Sequence, residues 1–318
     1  MSIDLTNPIF SDEDAARKHF EALHWPSGPV CPHCGVINEA TELKGGSTRP
    51  GLYKCRACEE PFSVMIGSVM ESSHLPLTKW AAAFHLMASS KKGVSAHQLM
   101  RQLGIGSYRS AWFLAHRVRE AMADRDPEPL GGKGKTVEID ETFIGKPDQR
   151  FVNGKDWQGK RGTATKRKVL TMVERGGRSV SIKVEDLTVQ TLKTVIGKHV
   201  ILDSTLNTDE AQHYKAIGQK FADHAAVNHG DGEYARGETT TNTFEGFFGI
   251  FKRGMTGVYQ HCGENHLQAY LNEFDFRYSN RAKMGIDDTE RASRAIKGAV
   301  GKRLTYRSPR SAQPARAV

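Results

Sequence analysis

The sequence predicts an α/β protein, in which a mixed sheet flanked by helices follows a small cysteine-rich module and a helical region. Three observations support this prediction. Two CxxC pairs stand near the start of the chain, a pair of helices joined by a glycine-bearing turn follows them, and strands alternate with helices from about residue 136. A chain of 318 residues is long enough for two or three such domains.

Composition favours a polyanionic partner. Lys and Arg number 45 against 36 Asp and Glu, a net charge of +9, which favours nucleic acid, although such a charge also aids solubility. The acidic and polar start of the chain does not resemble a secretory signal, and no apolar stretch approaches the length of a membrane span. We therefore expect no membrane association and a cytoplasmic location.

The first elements are a helix over residues 11–24, with Ser11 as its N-cap, and a zinc ribbon behind it. The ribbon has four cysteines in two CxxC pairs that are separated by 20 residues, and short strands are expected around them: Cys31, Cys34, Cys55 and Cys58. Four thiolates suit one tetrahedral, structural zinc ion. Because four of the five cysteines lie in the two CxxC pairs, the pattern is one of metal ligation and indicates a reducing compartment. His33 could replace a cysteine as ligand, but with four thiols present we expect it at the surface.

A helical region comes next. Residues 77–88 predict one helix, and residues 94–122 predict two more with a turn at Gly104, which is the outline of a helix-turn-helix. A plain helical hairpin that packs without contacting DNA fits the same pattern. Residues 124–136 are rich in Pro, Gly and alternating charges, and are predicted to be a linker.

Beyond the linker, a strand, a hairpin with a Gly-Gly turn and a helix predict the opening of a ribonuclease-H-like sheet, and further α/β alternation completes it. The last residues are basic and are expected to be disordered. The predicted order is N-terminal helix 1–27, zinc ribbon 28–72, helix-turn-helix-like DNA-binding region 73–123, linker 124–136, ribonuclease-H-like catalytic domain 137–285 and basic tail 286–318.

Three acidic residues are candidates for a catalytic metal site. Asp140 ends the predicted strand VEI, where an aspartate has poor strand propensity, so it is better explained as a group presented at the end of the sheet. Asp209 precedes a predicted helix, where an ordinary N-cap is the alternative, and Asp203 is its rival. Glu245 and Lys252 are seven residues apart on one helix face, which an exposed ion pair would also explain.

The spacing of these residues resembles a known signature. Asp209 and Glu245 have 35 residues between them, whereas Asp203 would give 41, and Lys252 follows on the same face. This resembles the Asp, Asp-x35-Glu pattern of the DDE transposase and retroviral integrase superfamily. Residues 240–281 and the motif IDETFIGK are similar to bacterial insertion-sequence transposases of the group numbered fifteen-ninety-five, as are the CxxC pairs.

That resemblance implies a transposase that binds the terminal inverted repeats of an insertion sequence in double-stranded DNA. Strands would be cleaved to free a 3′-hydroxyl and transferred into target DNA, with Mg²⁺ or Mn²⁺ held at Asp140, Asp209 and Glu245. Lys252 and Arg253 would grip phosphates near the terminal bases. A homo-oligomer on DNA is expected by analogy, because two active sites act on two ends.

The third catalytic position has two candidates in this chain. The family often has an asparagine there, and Asn242 precedes Glu245 by three residues on one helical face. Glu245 fits the spacing better, whereas the neutral oxygen of Asn242 would neutralise less charge. Two alternatives to a transposase stay open: a DNA-binding regulator with an inactive catalytic domain, and a ribonuclease-H-like nuclease that cleaves without joining.

Overall fold

The computed structural model describes residues 6–145, 166–209, 212–227 and 242–305, together with two-residue strands at 151–152, 155–156, 235–236 and 239–240. Its side chains are described over 6–145, 166–209, 213–226 and 246–305. No helix among these residues combines the length and the apolar character that crossing a membrane requires.

The described helices are α1 (Glu13–His24), α2 (Leu77–Ser89), α3 (Ala96–Gln102), α4 (Tyr108–Met122), α5 (Val189–His199), α6 (Gln212–Gly218), α7 (Asn242–Gly254), α8 (Leu267–Ser279) and α9 (Asp288–Lys297). The described strands are β1 (Ala40–Glu42), β2 (Tyr53–Cys55), β3 (Pro61–Phe62), β4 (Thr136–Ile144), β5 (Phe151–Val152), β6 (Lys155–Asp156), β7 (Arg167–Glu174), β8 (Ser179–Val184), β9 (Thr205–Asp209), β10 (Asp223–Val227), β11 (Ala235–Arg236) and β12 (Thr239–Thr240).

The chain divides into two compact units. The first consists of Met1–Ser89, Val94–Met122 and Asp288–Val318, and the second consists of Ser90–Gly93 and Ala123–Asp287.

In the first unit, β1, β2 and β3 form a small antiparallel sheet. Three aromatic rings support it, because Trp25 lies edge-on to both Tyr53 and Phe62, with ring centroids 5.5 and 5.7 Å away. Tyr53 and Phe62 are stacked on each other at 5.7 Å. The cysteine-rich module therefore has a small apolar core of its own, as a three-stranded ribbon requires.

The first helix and the turn between α3 and α4 have clear local causes in the sequence. Asp12, and not the predicted Ser11, is the N-cap of α1, because its carboxylate accepts the backbone N–H groups of Asp14 and Ala15. Ser11 instead ends the preceding 3₁₀ turn. Between α3 and α4 the chain turns at Gly104, whose φ of +57° suits glycine, so the predicted pair of helices with a glycine turn is confirmed.

The expectation of a disordered tail from residue 286 is wrong over Asp288–Lys297, which form α9. This helix packs against α1, α2 and α4, and it buries Ala295 and Ile296 among them. The backbone carbonyl of Ile296 lies 3.0 Å from Nε2 of His24 in α1. The basic composition of the segment concealed a narrow apolar stripe at helical spacing. Residues 306–318 lie outside the described residues.

The second unit is built on a five-stranded sheet in the order β10-β9-β4-β7-β8. β4, β7 and β8 are antiparallel neighbours, whereas β9 is parallel to both β4 and β10. This order and these directions are those of the ribonuclease-H-like fold, so the predicted fold class is confirmed. Two crossovers, which contain α5 and α6, produce the parallel part of the sheet.

Helices cover both faces of the sheet. Along β7, Leu170 and Met172 point into a core shared with α5 and α6, whereas Val169 and Val173 point into a second core shared with α7 and α8. The phenylalanine-rich sequence of α7 fills this second core with Phe247 and other rings. The sheet and the helices on its two faces therefore form three packed layers, and these layers position the side chains at the ends of the central strands.

Candidate functional site

Three carboxylates meet at one place on the sheet of the second unit. Asp140, Glu141 and Asp209 each offer an oxygen, and the three oxygens lie within 4.8 Å of one another. The first two come from the middle of β4, and Asp209 is the last residue of β9. Clustered carboxylate oxygens are the ligands that Mg²⁺ and Mn²⁺ prefer, so these residues could hold a divalent cation.

The sheet opens where the cluster lies. β4 and β9 are paired only as far as Glu138 and Asn207, so Asp140 and Asp209 stand two residues beyond the last pair. On its other side β4 remains paired with β7 up to Ile144. The prediction that Asp140 ends its strand is therefore wrong for the strand as a whole, but the pairing with β9 does end before it. Carboxyl ends of parallel strands that separate are the usual ligand sites of such sheets.

Asp140 and Glu141 leave β4 on opposite faces, because successive residues of a strand alternate. Val137 and Ile139 pack into the core shared with α5 and α6, so Asp140 leaves β4 on the opposite face, the face of the α7 and α8 layer. Glu141 instead contacts His213 and Tyr214 of α6, on the other side. Both nevertheless approach Asp209 through the gap between the strands.

Glu141 is the functional candidate that the sequence reasoning missed. The strand pattern pointed to it, because Glu141 lies on the same face of β4 as Val137 and Ile139, and these two residues belong to a buried core. A carboxylate that continues an apolar stripe has to be explained by a partner. The partners here are on α6, which only the folded chain brings to β4.

The carboxylates oppose one another's ionisation. Burial is the main cause that raises the pKa of Asp140 to about 7, and the charges of Glu141 and Asp209 add to it. Burial also raises the pKa of Glu141, while the hydrogen bond from Tyr214 acts in the opposite direction. A bound cation would reverse these effects, because it stabilises the ionised carboxylates.

The third acidic residue of β4, Glu138, has a different role. Glu138 is fully buried, and Arg175 donates to its Oε1 from Nε at 3.1 Å and from a terminal nitrogen at 3.0 Å. This two-point contact neutralises the carboxylate inside the domain. Glu138 is thus explained as part of a buried ion pair.

The remaining candidates of the acidic site lie on α7 and before β9. Asn242 and Glu245 belong to the first turn of α7, but their side chains lie outside the described residues. Lys252 is exposed in the last turn, with Nζ 5.4 Å from the centre of the Phe248 ring. Arg253 is exposed beside it. Asp203 is exposed in the turn before β9 and is not one of the three clustered carboxylates.

The four predicted zinc ligands come together in the first unit. The Sγ atoms of Cys31 and Cys58 are 3.6 Å apart, and those of Cys34 and Cys55 are 3.7 Å apart. A tetrahedral zinc ion with bonds of about 2.3 Å to sulfur places its ligands about 3.8 Å from one another, so the thiols fit zinc. Backbone N–H donation from Cys58 is the main cause that lowers the pKa of Cys55 to about 7. His33 is exposed and is not a member of this cluster.

A ribonuclease-H-like domain with a carboxylate cluster, together with a four-cysteine ribbon, defines the class of DDE transposases with a zinc-ribbon domain. Comparison with family models agrees, because residues 129–279 match the ISXO2-like transposase domain and residues 11–60 match the transposase zinc-ribbon domain. The chain therefore carries the transposase domain and the zinc-ribbon domain of insertion-sequence transposases.

A relative supports the same family. The chain is 26% identical over 280 residues to an uncharacterized protein in transposable element ISH50 of Halobacterium salinarum. The alignment covers 84% of this chain and 91% of the relative. It therefore includes most of both chains and not a single shared module.

Proposed function

We propose that the protein binds the terminal inverted repeats of an insertion sequence and catalyses metal-dependent strand cleavage and strand transfer into target DNA. The observation that carries this proposal is the cluster of Asp140, Glu141 and Asp209 at the opening between two parallel strands. The match to the transposase domain and the position of α7 beside the cluster support it.

In this proposal Asp140, Asp209 and Glu245 hold Mg²⁺ or Mn²⁺. Divalent ions held there would stabilise the negative charge that develops on the attacking and leaving oxygens of a phosphodiester. Bound cations would favour the ionised carboxylates, because their charge opposes the burial and, secondarily, the neighbouring carboxylates that raise the pKa of Asp140. Asn242 is the alternative for the third position, where it would orient a ligand through its amide oxygen.

The basic residues of α7 hold the DNA strand. Lys252 and Arg253 are exposed at the end of a helix whose first turn carries the third candidate acid. The charge of Lys252 acts on Asp140, so a phosphate that binds Lys252 lies close to the carboxylate cluster. Lysine is well suited to such a contact, since its ammonium group is a compact charge.

DNA binding by the first unit is supported by its charge pattern. Residues 72–119 contain seven Lys and Arg and no Asp or Glu, and five of these basic residues belong to the first unit, in which the stretch includes α2, α3 and most of α4. Arg101 of α3 and Arg109 of α4 are exposed. We assign this helix-turn-helix-like region to the phosphate backbone of double-stranded DNA.

The four cysteines hold a structural Zn²⁺ that stabilises the ribbon, and the reduced thiols this requires suit the cytoplasm. A homo-oligomer would bring two active sites to the two ends of one element.

The test is a strand-transfer assay. Purified protein is incubated with Mg²⁺ or Mn²⁺ and duplexes that carry the ends of its element, and joined strands are separated on denaturing gels. Asp140→Asn and Asp209→Asn should each lower joining by at least about 100-fold, since each removes a charged ligand. Asp203→Asn is the matched control, because it makes the same change at an exposed aspartate outside the cluster, and it should join like the wild type.

Joining that survives Asp140→Asn would contradict the proposal. Cleavage without joined products in the wild type would favour the nuclease, and DNA binding without cleavage would favour the inactive regulator. The third position is assigned by comparing Glu245→Gln with Asn242→Ala, of which only the variant of the true ligand should abolish both steps.

A further inference from the structure

Two side chains of α6 hold the carboxylate of Glu141. The hydroxyl of Tyr214 donates to Oε1 at 2.5 Å, and Nε2 of His213 lies 3.2 Å from the same oxygen. Tyr214 is 1% exposed, and its ring belongs to the core that also contains Ile139. A rotamer locked in a packed core fixes the position of its hydroxyl, and therefore of the oxygen to which it donates.

Both contacts fall on Oε1, and one carboxylate oxygen of Glu141 lies within 4.8 Å of oxygens of Asp140 and Asp209. The carboxylate is therefore held by two side chains of α6 at the place where the three acidic residues meet. Hydrogen bonds of this kind from neighbouring side chains orient the ligands of metal sites.

A purely structural role would leave a different pattern, which the same unit also contains. Tyr259 donates to Oε1 of Glu273 at the same distance, 2.5 Å, but Glu273 is fully buried and Arg277 pairs with it. Glu138 is likewise paired with Arg175. Among the described residues, Glu141 has two neighbouring carboxylates and His213 where those residues have an arginine, and a cation in the cluster would balance its charge.

We propose that Glu141 is an additional ligand of the divalent-metal site and that Tyr214 is the positioning residue that orients its carboxylate. The inference rests on the proposed function, since it assumes that Asp140 and Asp209 bind the cation. It assigns His213 a secondary part, as a second contact to the same oxygen.

The test measures Mn²⁺ affinity of the full, zinc-loaded chain without DNA, by the electron paramagnetic resonance signal of free Mn²⁺. Tyr214→Phe should raise the Kd about tenfold, the lower end of the range for supporting residues of metal sites, and Glu141→Gln should raise it at least as much. Tyr259→Phe removes the same kind of hydrogen bond outside the cluster, and it should leave the Kd within about twofold of the wild type.

A double-mutant cycle separates positioning from general damage. If Tyr214 acts through Glu141, Tyr214→Phe should not raise the Kd further in the Glu141→Gln background. Thermal unfolding of each variant tests whether a loss of Mn²⁺ affinity merely follows a loss of stability. Tyr259→Phe is the reference, because it should change stability without changing the Kd for Mn²⁺.

The outcomes distinguish the inference from the proposed function. If Asp140→Asn weakens Mn²⁺ binding while Glu141→Gln and Tyr214→Phe bind like the wild type, the inference is overturned and the proposed function stands. Absence of Mn²⁺ binding by the wild type would overturn both. Equal losses from Tyr214→Phe and Tyr259→Phe would reduce Tyr214 to a structural residue and overturn the inference.

Discussion

The three acidic residues of β4 have different partners, which the layers on the two faces of the sheet supply. Glu138 and Asp140 share one face, but Arg175 neutralises the first, whereas the second lies at the sheet opening among other carboxylates. Glu141 leaves the other face and is held by α6. The chemistry of each carboxylate is therefore decided by which residues the neighbouring layers bring to it, and not by its own position in the sequence.

Asp275 predicts a pH dependence of stability. Its carboxylate accepts hydrogen bonds from the Ser179 hydroxyl at 2.7 Å and from the Ser181 backbone and hydroxyl at 2.7 and 2.9 Å. Burial nevertheless raises its pKa from 3.8 to about 6. The folded chain thus keeps this proton to a higher pH than the unfolded chain does, so its contribution to stability is full below pH 3.8 and is lost as the pH rises through 6.

The measurement is urea unfolding between pH 4 and pH 7 for the wild type and Asp275→Asn. Relative to the variant, the wild type should lose roughly 2 to 3 kcal/mol of unfolding free energy across this range. The quantity to compare is the difference in unfolding free energy between the wild type and Asp275→Asn at each pH, since the other carboxylates titrate in both proteins. Parallel pH profiles would show that Asp275 is ionised throughout.

At the scale of elements, the sequence predicted what local pattern determines. The alternation of strands and helices, the glycine turn before α4 and the two CxxC pairs each have a signal within a few residues, and the structure has them where expected. Two features depend on distant partners. The role of Glu141 requires α6, and the order of α9 requires the three helices on which it packs. The basic composition of the α9 segment suggests disorder, because composition carries no information about packing against helices that are distant in the sequence.

The order of α9 can be tested at one buried residue. Ile296 is 2% exposed among α1, α2 and α4, so Ile296→Ala should lower the free energy of unfolding by about 2–4 kcal/mol through lost burial and the cavity that remains. Lys297→Ala changes the exposed neighbour and should stay within about 0.5 kcal/mol of the wild type. Urea unfolding measures both, and equal stability of the two variants would mean that α9 does not pack.

At the scale of the whole molecule, the chain separates two metal chemistries by the kind of ligand. The ribbon has four thiolates, which select zinc, and the sheet has carboxylates, which select hard divalent ions. The two sites belong to different compact units. Under the proposed function, removal of zinc should act first on the ribbon, and removal of Mg²⁺ should act on cleavage. The charge of the chain is divided in a similar way, since the acid-free stretch of residues 72–119 belongs mainly to the first unit.

This division predicts where DNA affinity resides. Arg101 and Arg109 are exposed on α3 and α4, so replacing both by Ala should weaken binding of the full chain to a labelled duplex. Two lost phosphate contacts should reduce the slope of log K against log salt concentration by about 2. The control replaces Lys18 and Arg294, which are exposed in the same unit on α1 and α9. It removes the same charge, so an equal change of slope in the control would mean that net charge, and not this helical surface, binds the DNA.

The same variant also tests whether the arginines contact bases. Loss of phosphate contacts weakens binding uniformly across sequences, so a larger loss on the element ends than on a random duplex would show that the arginines also contact bases.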